Sequence, residues 1–212
     1  MKKKILLTIF LVLLLSFYLM NEFLFIFSYK YNGKIGIIDT YINNTYDNLI
    51  IYESEYKNNE YKETHGDSLI SFLNSLEYNN EIYYYEAVNE DGKIKSENII
   101  AGLEWMKKNN VPRVNISLSS KYKTDELETW IKENNDMTVY CSYNNKLNSL
   151  ADYPAMYSGV IASGSDNKIK YKDIDMHYDS NKIILINKNG LKFFEGNSFL
   201  SLYTMLDKEN NK

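Results

Sequence analysis

Apolar residues gather along this chain in two ways. Short unbroken runs recur at 34–38 (KIGII), 48–52 (NLIIY), 82–88 (IYYYEAV), 137–141 (MTVYC), 159–163 (GVIAS) and 182–187 (KIILIN). Such runs are the pattern of strands buried on both faces of a sheet. Residues 113–118 alternate instead, with Val114, Ile116 and Leu118 on one side, and read as a further strand. Between these runs apolar residues return every three or four positions, which is the spacing of one helix face. Residues 66–76 present Leu69, Ile70, Leu73 and Leu76, and residues 198–207 present Phe199, Leu202 and Leu206. Two more helices are predicted at 96–109, capped by Ser96 with Ile99, Ile100, Leu103 and Met106 inward, and at 124–134, capped by Thr124 with Leu127, Trp130 and Ile131 inward. Strands alternating with helices, with no internal repeat and no linker, predict one α/β domain whose mainly parallel sheet is covered on both faces.

The amino terminus follows a different pattern. Lys2, Lys3 and Lys4 precede an apolar run over residues 5–27, interrupted only by Thr8, Ser16, Asn21 and Glu22. As a helix the run measures about 35 Å, enough to cross a hydrocarbon layer of about 30 Å. It predicts an N-terminal transmembrane helix acting as a signal anchor over 1–30, followed by a domain over 31–212. The lysines stay on the cytoplasmic side, so the domain faces outward at the cell membrane. A cleaved signal peptide, which would leave a secreted protein, is the alternative. The small residues of an A-x-A-like cleavage site are missing, with Met20, Phe23 and Phe27 standing at the candidate positions. No cysteine follows the run to carry a lipid.

Composition narrows the classes. Of 212 residues 44% are hydrophobic, which is enough for a core and argues against disorder. The single Cys141 excludes a disulfide scaffold and reads as a core thiol in a buried strand. Without the three N-terminal lysines, 21 basic residues face 28 acidic ones, a net charge of −7, which excludes nucleic acid as a partner.

In open α/β sheets ligands bind beyond the carboxyl ends of the strands, so polar residues just after apolar runs are the first candidates for chemistry. Asp39 directly follows Ile35, Ile37 and Ile38. An imidazole base would have to be one of only two histidines. His65 opens an apolar helix in H-G-D-S-L, whereas His177, in DIDMHYDS, belongs to a polar loop and reads as a surface residue. Ser198, in F-F-E-G-N-S-F-L, stands at a helix amino terminus, where it is either an N-cap or a nucleophile beside backbone N–H groups able to stabilise negative charge.

Taken together these segments resemble the subtilisin-like serine proteases, the subtilases. That family carries I-D-[ST]-G, H-G-T-H-V-A-G and G-T-S-[MF]-A-[SA]-P in the order Asp, His, Ser. Here I-G-I-I-D-T-Y-I stands at 35–42, H-G-D-S-L-I-S at 65–71 and G-N-S-F-L-S-L at 196–202. Residues 99–118 (IIAGLEWMKKNNVPRVNISL) and 153–164 (YPAMYSGVIASG) are similar to two further segments of the family, so the likeness runs from about 34 to 206. The resemblance implies a subtilisin-like three-layer fold and a serine endopeptidase acting on peptide or protein substrates without a cofactor; because the chain is short for the family, its calcium-binding insertions are expected to be missing and no metal is inferred. It makes Ser198 the nucleophile, His65 the general base and Asp39 the residue that orients the imidazole. Asn144, in V-Y-C-S-Y-N-N, takes the place of the oxyanion asparagine, and Ser117, Leu118 and Ser119 take that of the strand that pairs with extended substrate.

The chain departs from the family pattern at several positions. Tyr41 replaces a glycine, Ser68 a histidine and Asn197 a threonine, and Tyr143 stands where a glycine lets backbone approach the site, so its ring is a candidate to fill the oxyanion pocket. S-L-S-S at 117–120 replaces S-L-G-G. Only about six residues lie between the apolar run and Lys34, too few for the family's chaperone-like pro-segment, which predicts folding unaided or with help in trans. These losses support a second reading, a catalytically impaired subtilase-like protein that serves as a peptide-binding or regulatory module. A third is an unrelated anchored α/β binding protein.

Overall fold

The structure, a computed structural model, describes residues 2–27, 31, 33–54, 64–88, 93–145, 152–165 and 175–210. Its centre is β2 (Ile35–Asp39), where all five residues are buried. Around it pair β3 (Ile50–Glu53), β4 (Glu81–Glu86), β5 (Arg113–Ile116), β6 (Thr138–Ser142), β7 (Val160–Ser165) and β8 (Met176–Tyr178) in the order β3-β4-β2-β5-β6-β7-β8. Every pairing in this seven-stranded sheet is parallel. Successive side chains of a strand point to opposite faces, and the two cores follow from that alternation. Ile35 and Ile37 face one apolar cluster and Ile38 the other. Each is wholly buried and contributes about 1.5–3 kcal/mol of transfer free energy.

The first cluster joins α2 (His65–Ser75), through Leu69, Ile70, Phe72 and Leu73, to α5 (Asn197–Asn210), through Leu200, Leu202, Met205 and Leu206. The second holds Ile99, Leu103 and Met106 of α3 (Ser96–Lys108) with Leu127 and Ile131 of α4 (Asp125–Glu133). Two helices therefore cover each face, giving the three layers that the apolar pattern predicts. The capping hydroxyls behave differently from expectation. Ser96 is the first helical residue, preceded by Lys95 at the cap position, and its hydroxyl bonds that of Thr124 at 2.6 Å. Thr124 holds the cap position of α4, yet no cap bond comes from its side chain. The two hydroxyls tie α3 to α4.

Three further corrections concern the strands. KIILIN forms β9 (Lys182–Asn187), but not in the central sheet. It pairs with β1 (Leu24–Phe27) and β10 (Gly190–Glu195) in a separate three-stranded sheet. That sheet presses Ile26, Ile183 and Leu185 onto the first cluster, with Phe194 against Phe72 and Phe199 at ring centroid distances of 4.9 and 5.2 Å. His177 lies on the short edge strand β8 and is exposed, as expected of a surface residue, although the segment is not a loop.

The third correction is the transmembrane helix. The apolar run does begin as a helix, α1 (Lys2–Glu22), but it stops at Glu22, and Leu24–Phe27 are drawn into the small sheet by pairing with β9. Glu22 is held there by Lys182 at 3.2 Å and by the Ser180 hydroxyl on its carbonyl at 2.7 Å. The helical apolar part before Asn21 then measures only about 24 Å at 1.5 Å per residue, short of the roughly 30 Å hydrocarbon core. Among the described residues no helix is long and apolar enough to cross a membrane. The expected boundary between residues 30 and 31 adjoins residues 28–30, which lie outside the described residues.

Candidate active site

β2 ends in Asp39, at the carboxyl edge of the parallel sheet, with its side chain wholly buried. One carboxylate oxygen, Oδ1, accepts from the Thr40 backbone N–H at 2.8 Å and lies 3.2 Å from the Thr40 hydroxyl. His65 Nδ1 stands 2.7 Å from the same oxygen. Since that oxygen is an acceptor, Nδ1 must carry the proton. Nε2 is then left with a lone pair, 3.1 Å from the Ser198 hydroxyl. Asp39, His65 and Ser198 therefore stand in one hydrogen-bonded row, although 26 and 133 positions separate the bonded partners in sequence. Burial lowers the imidazole pKa, but the hydrogen bond and charge of Asp39 more than offset it, and the ring ends above its ordinary value.

The row depends on a tight join between the segment after β2 and the start of α2. Thr64 caps α2 by accepting the Asp67 N–H, and the Asp67 carboxylate returns the bond to the Thr64 N–H at 3.1 Å. The other oxygen of the buried Asp67 accepts the N–H groups of Asn43 and Asn44 at 3.0 and 2.9 Å. The Thr64 hydroxyl donates to the Tyr41 carbonyl, and Tyr84 donates to that of Thr40. Gly66 sits inside this join. A Cβ there would lie 2.1 Å from the Tyr84 hydroxyl and 2.6 and 2.8 Å from the Thr40 and Tyr41 carbonyl oxygens. Only a residue without a side chain lets the helix approach so closely.

Ser198 is the second residue of α5, so it is not an N-cap, and its N–H falls in the first turn, where amides have no intrahelical partner. Gly196, at φ +141°, makes the turn into the helix, a conformation that favours glycine. Asn197 braces the neighbouring loop. Its N–H donates to the Asn145 side chain at 2.9 Å and its amide to the Tyr143 carbonyl at 3.0 Å. Below Ser198, the buried Asn115 of β5 donates to Ser201 of α5 at 2.7 Å and accepts from Ser117 at 2.8 Å.

A cavity of about 240 Å³ opens beside the row, lined in part by His65, Ser198, Ser117, Leu118, Ser119 and Asn144. The expected site residues other than Asp39 thus border one cavity, and Asp39 lies behind His65. Tyr143 borders the cavity too, but its side chain is 1% exposed and packs in the second apolar cluster. Leu118 and Ser119 also border a larger neighbouring cavity of about 370 Å³, which reaches Tyr122 and Tyr153. Just beyond, Ser120 and Tyr153 exchange two backbone hydrogen bonds of 2.8 Å. Cys141 is wholly buried, its thiol pushed well above the ordinary value by burial. Among the described residues no group of three or more His, Cys, Asp or Glu could hold a metal ion.

Thr40 matches the [ST] of the family's I-D-[ST]-G, but the sequence does not single out Asn115 or Asn145 as parts of the site. Each is a small polar residue whose role lies only in its partner. Asn197 is visible in the sequence as a departure from the family motif, but its bracing bonds are not.

Comparison with known proteins places this geometry on a known scaffold. No family model matches the chain. The chain is 26% identical over 154 residues to the minor extracellular protease Epr of Bacillus subtilis (strain 168), a match over 65% of this chain. It spans only about a quarter (24%) of the length of that curated relative. Among solved structures, a cold-adapted subtilisin-like serine proteinase superposes with a TM-score of 0.60 at 17% identity, covering 84% of this chain and 76% of the other. The prenylagaramide maturation protease PagA superposes with a TM-score of 0.62 at 15% identity, covering 84% and 77%. The chain has the subtilisin-like fold, an α/β architecture with a mainly parallel sheet.

Proposed function

We propose that the protein is a serine endopeptidase that cleaves peptide bonds through Asp39, His65 and Ser198. The observation that carries this reading is the unbroken hydrogen-bond row of 2.7 and 3.1 Å at the carboxyl edge of the sheet, opening on a cavity. Ser198 Oγ attacks the scissile carbonyl as its proton passes to His65 Nε2, and Asp39 holds the Nδ1–H and stabilises the imidazolium that forms. The carbonyl oxygen, now negative, is met by the Ser198 N–H and the Asn144 side chain. Collapse of the tetrahedral adduct expels the amine, which takes the proton from Nε2 and leaves an acyl-enzyme. Water, deprotonated by His65, then releases the acid and restores the serine. Extended substrate lies along Ser117, Leu118 and Ser119, with main-chain bonds giving affinity and the adjoining 370 Å³ cavity receiving side chains.

We further propose that the protein works outside the cytoplasmic membrane. Three lysines ahead of an apolar helix, a single cysteine and a relative named as an extracellular protease support export.

The test is covalent labelling of the purified protein with a fluorophosphonate. The wild type should be labelled, and Ser198→Ala should lose all labelling while keeping its circular dichroism and unfolding midpoint. A folded wild type that stays unlabelled would overturn the endopeptidase reading and favour the peptide-binding module.

A further inference from the structure

The proposed reaction leaves one buried charged group beside the site without a use. Asp152 is 1% exposed, and among the described residues no ion pair reaches it. One carboxylate oxygen, Oδ2, accepts the backbone N–H of Asn144, eight positions earlier in the chain. The other, Oδ1, is buried with no hydrogen-bond partner. Burial pushes the carboxyl up to about 6, and the Asn144 N–H and the nearby Ser119 hydroxyl pull against that shift. A buried carboxyl with one oxygen unanswered is costly to keep, and this one lies between two walls of the cavity. Ser119 belongs to the segment expected to pair with substrate, and Asn144 to the loop expected to meet the oxyanion.

That loop is gripped from its other side as well. Asn197 holds the Tyr143 carbonyl at 3.0 Å and the Asn145 side chain at 2.9 Å, both from the first residue of α5. Asn197 thus grips residues 143 and 145, and Asp152 grips the residue between them. The Asn144 N–H, turned toward Asp152, fixes the backbone orientation from which the Asn144 side chain leaves. A donor to an oxyanion must be held within a few tenths of an ångström of the place where charge develops, since a shift of about 1 Å costs about a hundredfold in rate.

We propose that Asp152 is a positioning residue for the hydrolysis: by accepting the Asn144 N–H it holds the oxyanion loop at a set distance from the Ser119 wall and from Ser198. The inference rests on the endopeptidase reading and deepens it. It assigns no chemical step to Asp152.

The experiment compares Asp152→Ala and Asp152→Asn with the wild type on a chromogenic peptide, with Ser198→Ala as the inactive reference and unfolding midpoints for all four. Asparagine keeps an acceptor oxygen for the Asn144 N–H, and alanine does not. The expected result is a fall in kcat of about tenfold or more for Asp152→Ala with KM changed less than about threefold, and kcat within about threefold of wild type for Asp152→Asn. A role in general stability alone would lower the unfolding midpoint and leave kcat of the folded fraction intact. Unchanged kcat in Asp152→Ala, or equal losses in both variants, overturns the inference while the wild-type turnover keeps the endopeptidase reading. If Asp152→Ala does not fold, the decision falls to Asp152→Asn, where a kcat loss beyond tenfold overturns it. A wild type no more active than Ser198→Ala overturns both.

Discussion

Replacing Gly66 by alanine tests the join that brings His65 to Asp39. The new Cβ would lie 2.1 Å from the Tyr84 hydroxyl and 2.6 and 2.8 Å from the carbonyl oxygens of Thr40 and Tyr41, where ordinary contact begins at 3.4 Å. The phenol must therefore retreat by about 1.3 Å and the two carbonyls by about 0.6–0.8 Å, against the tendency of a close-packed interior to resist such shifts. Overpacking of this kind costs about 1–3 kcal/mol, and losing the bond from Tyr84 to the Thr40 carbonyl adds about 1 kcal/mol. We expect a loss of about 2–4 kcal/mol in urea unfolding followed by circular dichroism. The same displacement moves Thr40 against its neighbours Asp39 and His65, so kcat on a peptide substrate should fall by about ten- to a hundredfold. Gly36→Ala is the control. Its Cβ would meet Met106 Sδ at 2.7 Å and Val114 Cγ2 at 3.0 Å. A flexible thioether can move aside, so stability should fall by about 1–2 kcal/mol with kcat unchanged. If Gly66→Ala unfolds within about 0.5 kcal/mol of wild type, the close approach of α2 to β2 is not what holds the site.

Two other perturbations probe the row and its brace. Asp39→Asn should lower kcat by about 10⁴, and its acid limb should lie at lower pH than that of wild type, because Asp39 is what raises the His65 pKa above 6.5. The same shift implies that this pair adds stability below the unfolded-state pKa of His65 and loses it as pH rises through the raised folded value. A kcat/KM profile between about pH 5 and 9 reads the change, and an unmoved limb would detach the limb from His65. Asn197→Ala should cost about 1–3 kcal/mol by stranding the buried Tyr143 carbonyl, and should lower kcat with little effect on KM. A loss confined to KM would show that the 143–145 loop binds substrate rather than stabilising charge.

How much of the site was legible depended on the kind of signal. Asp39 could be found because a charged residue interrupts an apolar strand, and His65 because histidine is rare in this chain. Ser198 could be weighed as nucleophile or cap from its place before a helix, but only the structure, by starting α5 at Asn197 and bringing the hydroxyl 3.1 Å from His65, distinguishes the two. The bracing bonds of Asn197 and the roles of Asn115 and Asp152 carry no local signature, since a buried polar side chain is defined by the group it meets. Tyr143 shows the reverse case. Its bulk at a family glycine looked like an obstruction, and its ring instead lies in the apolar cluster that also holds Cys141 and Tyr157.

The chain's own pattern determined that this is an α/β protein, which runs are strands, and which helix faces turn inward. Those properties follow from burying apolar side chains at periods of two and 3.6 residues, a free energy set largely by each segment's own residues. Tertiary structure alone decided the rest: that β9 leaves the main sheet for β1 and β10, that the apolar amino-terminal run breaks into helix and strand at Glu22, that Ser96 meets Thr124 instead of capping, and that Asp39, His65 and Ser198 line up. Strand pairing and polar contacts draw their energy from partners far along the chain, so no window of sequence contains both halves of the interaction.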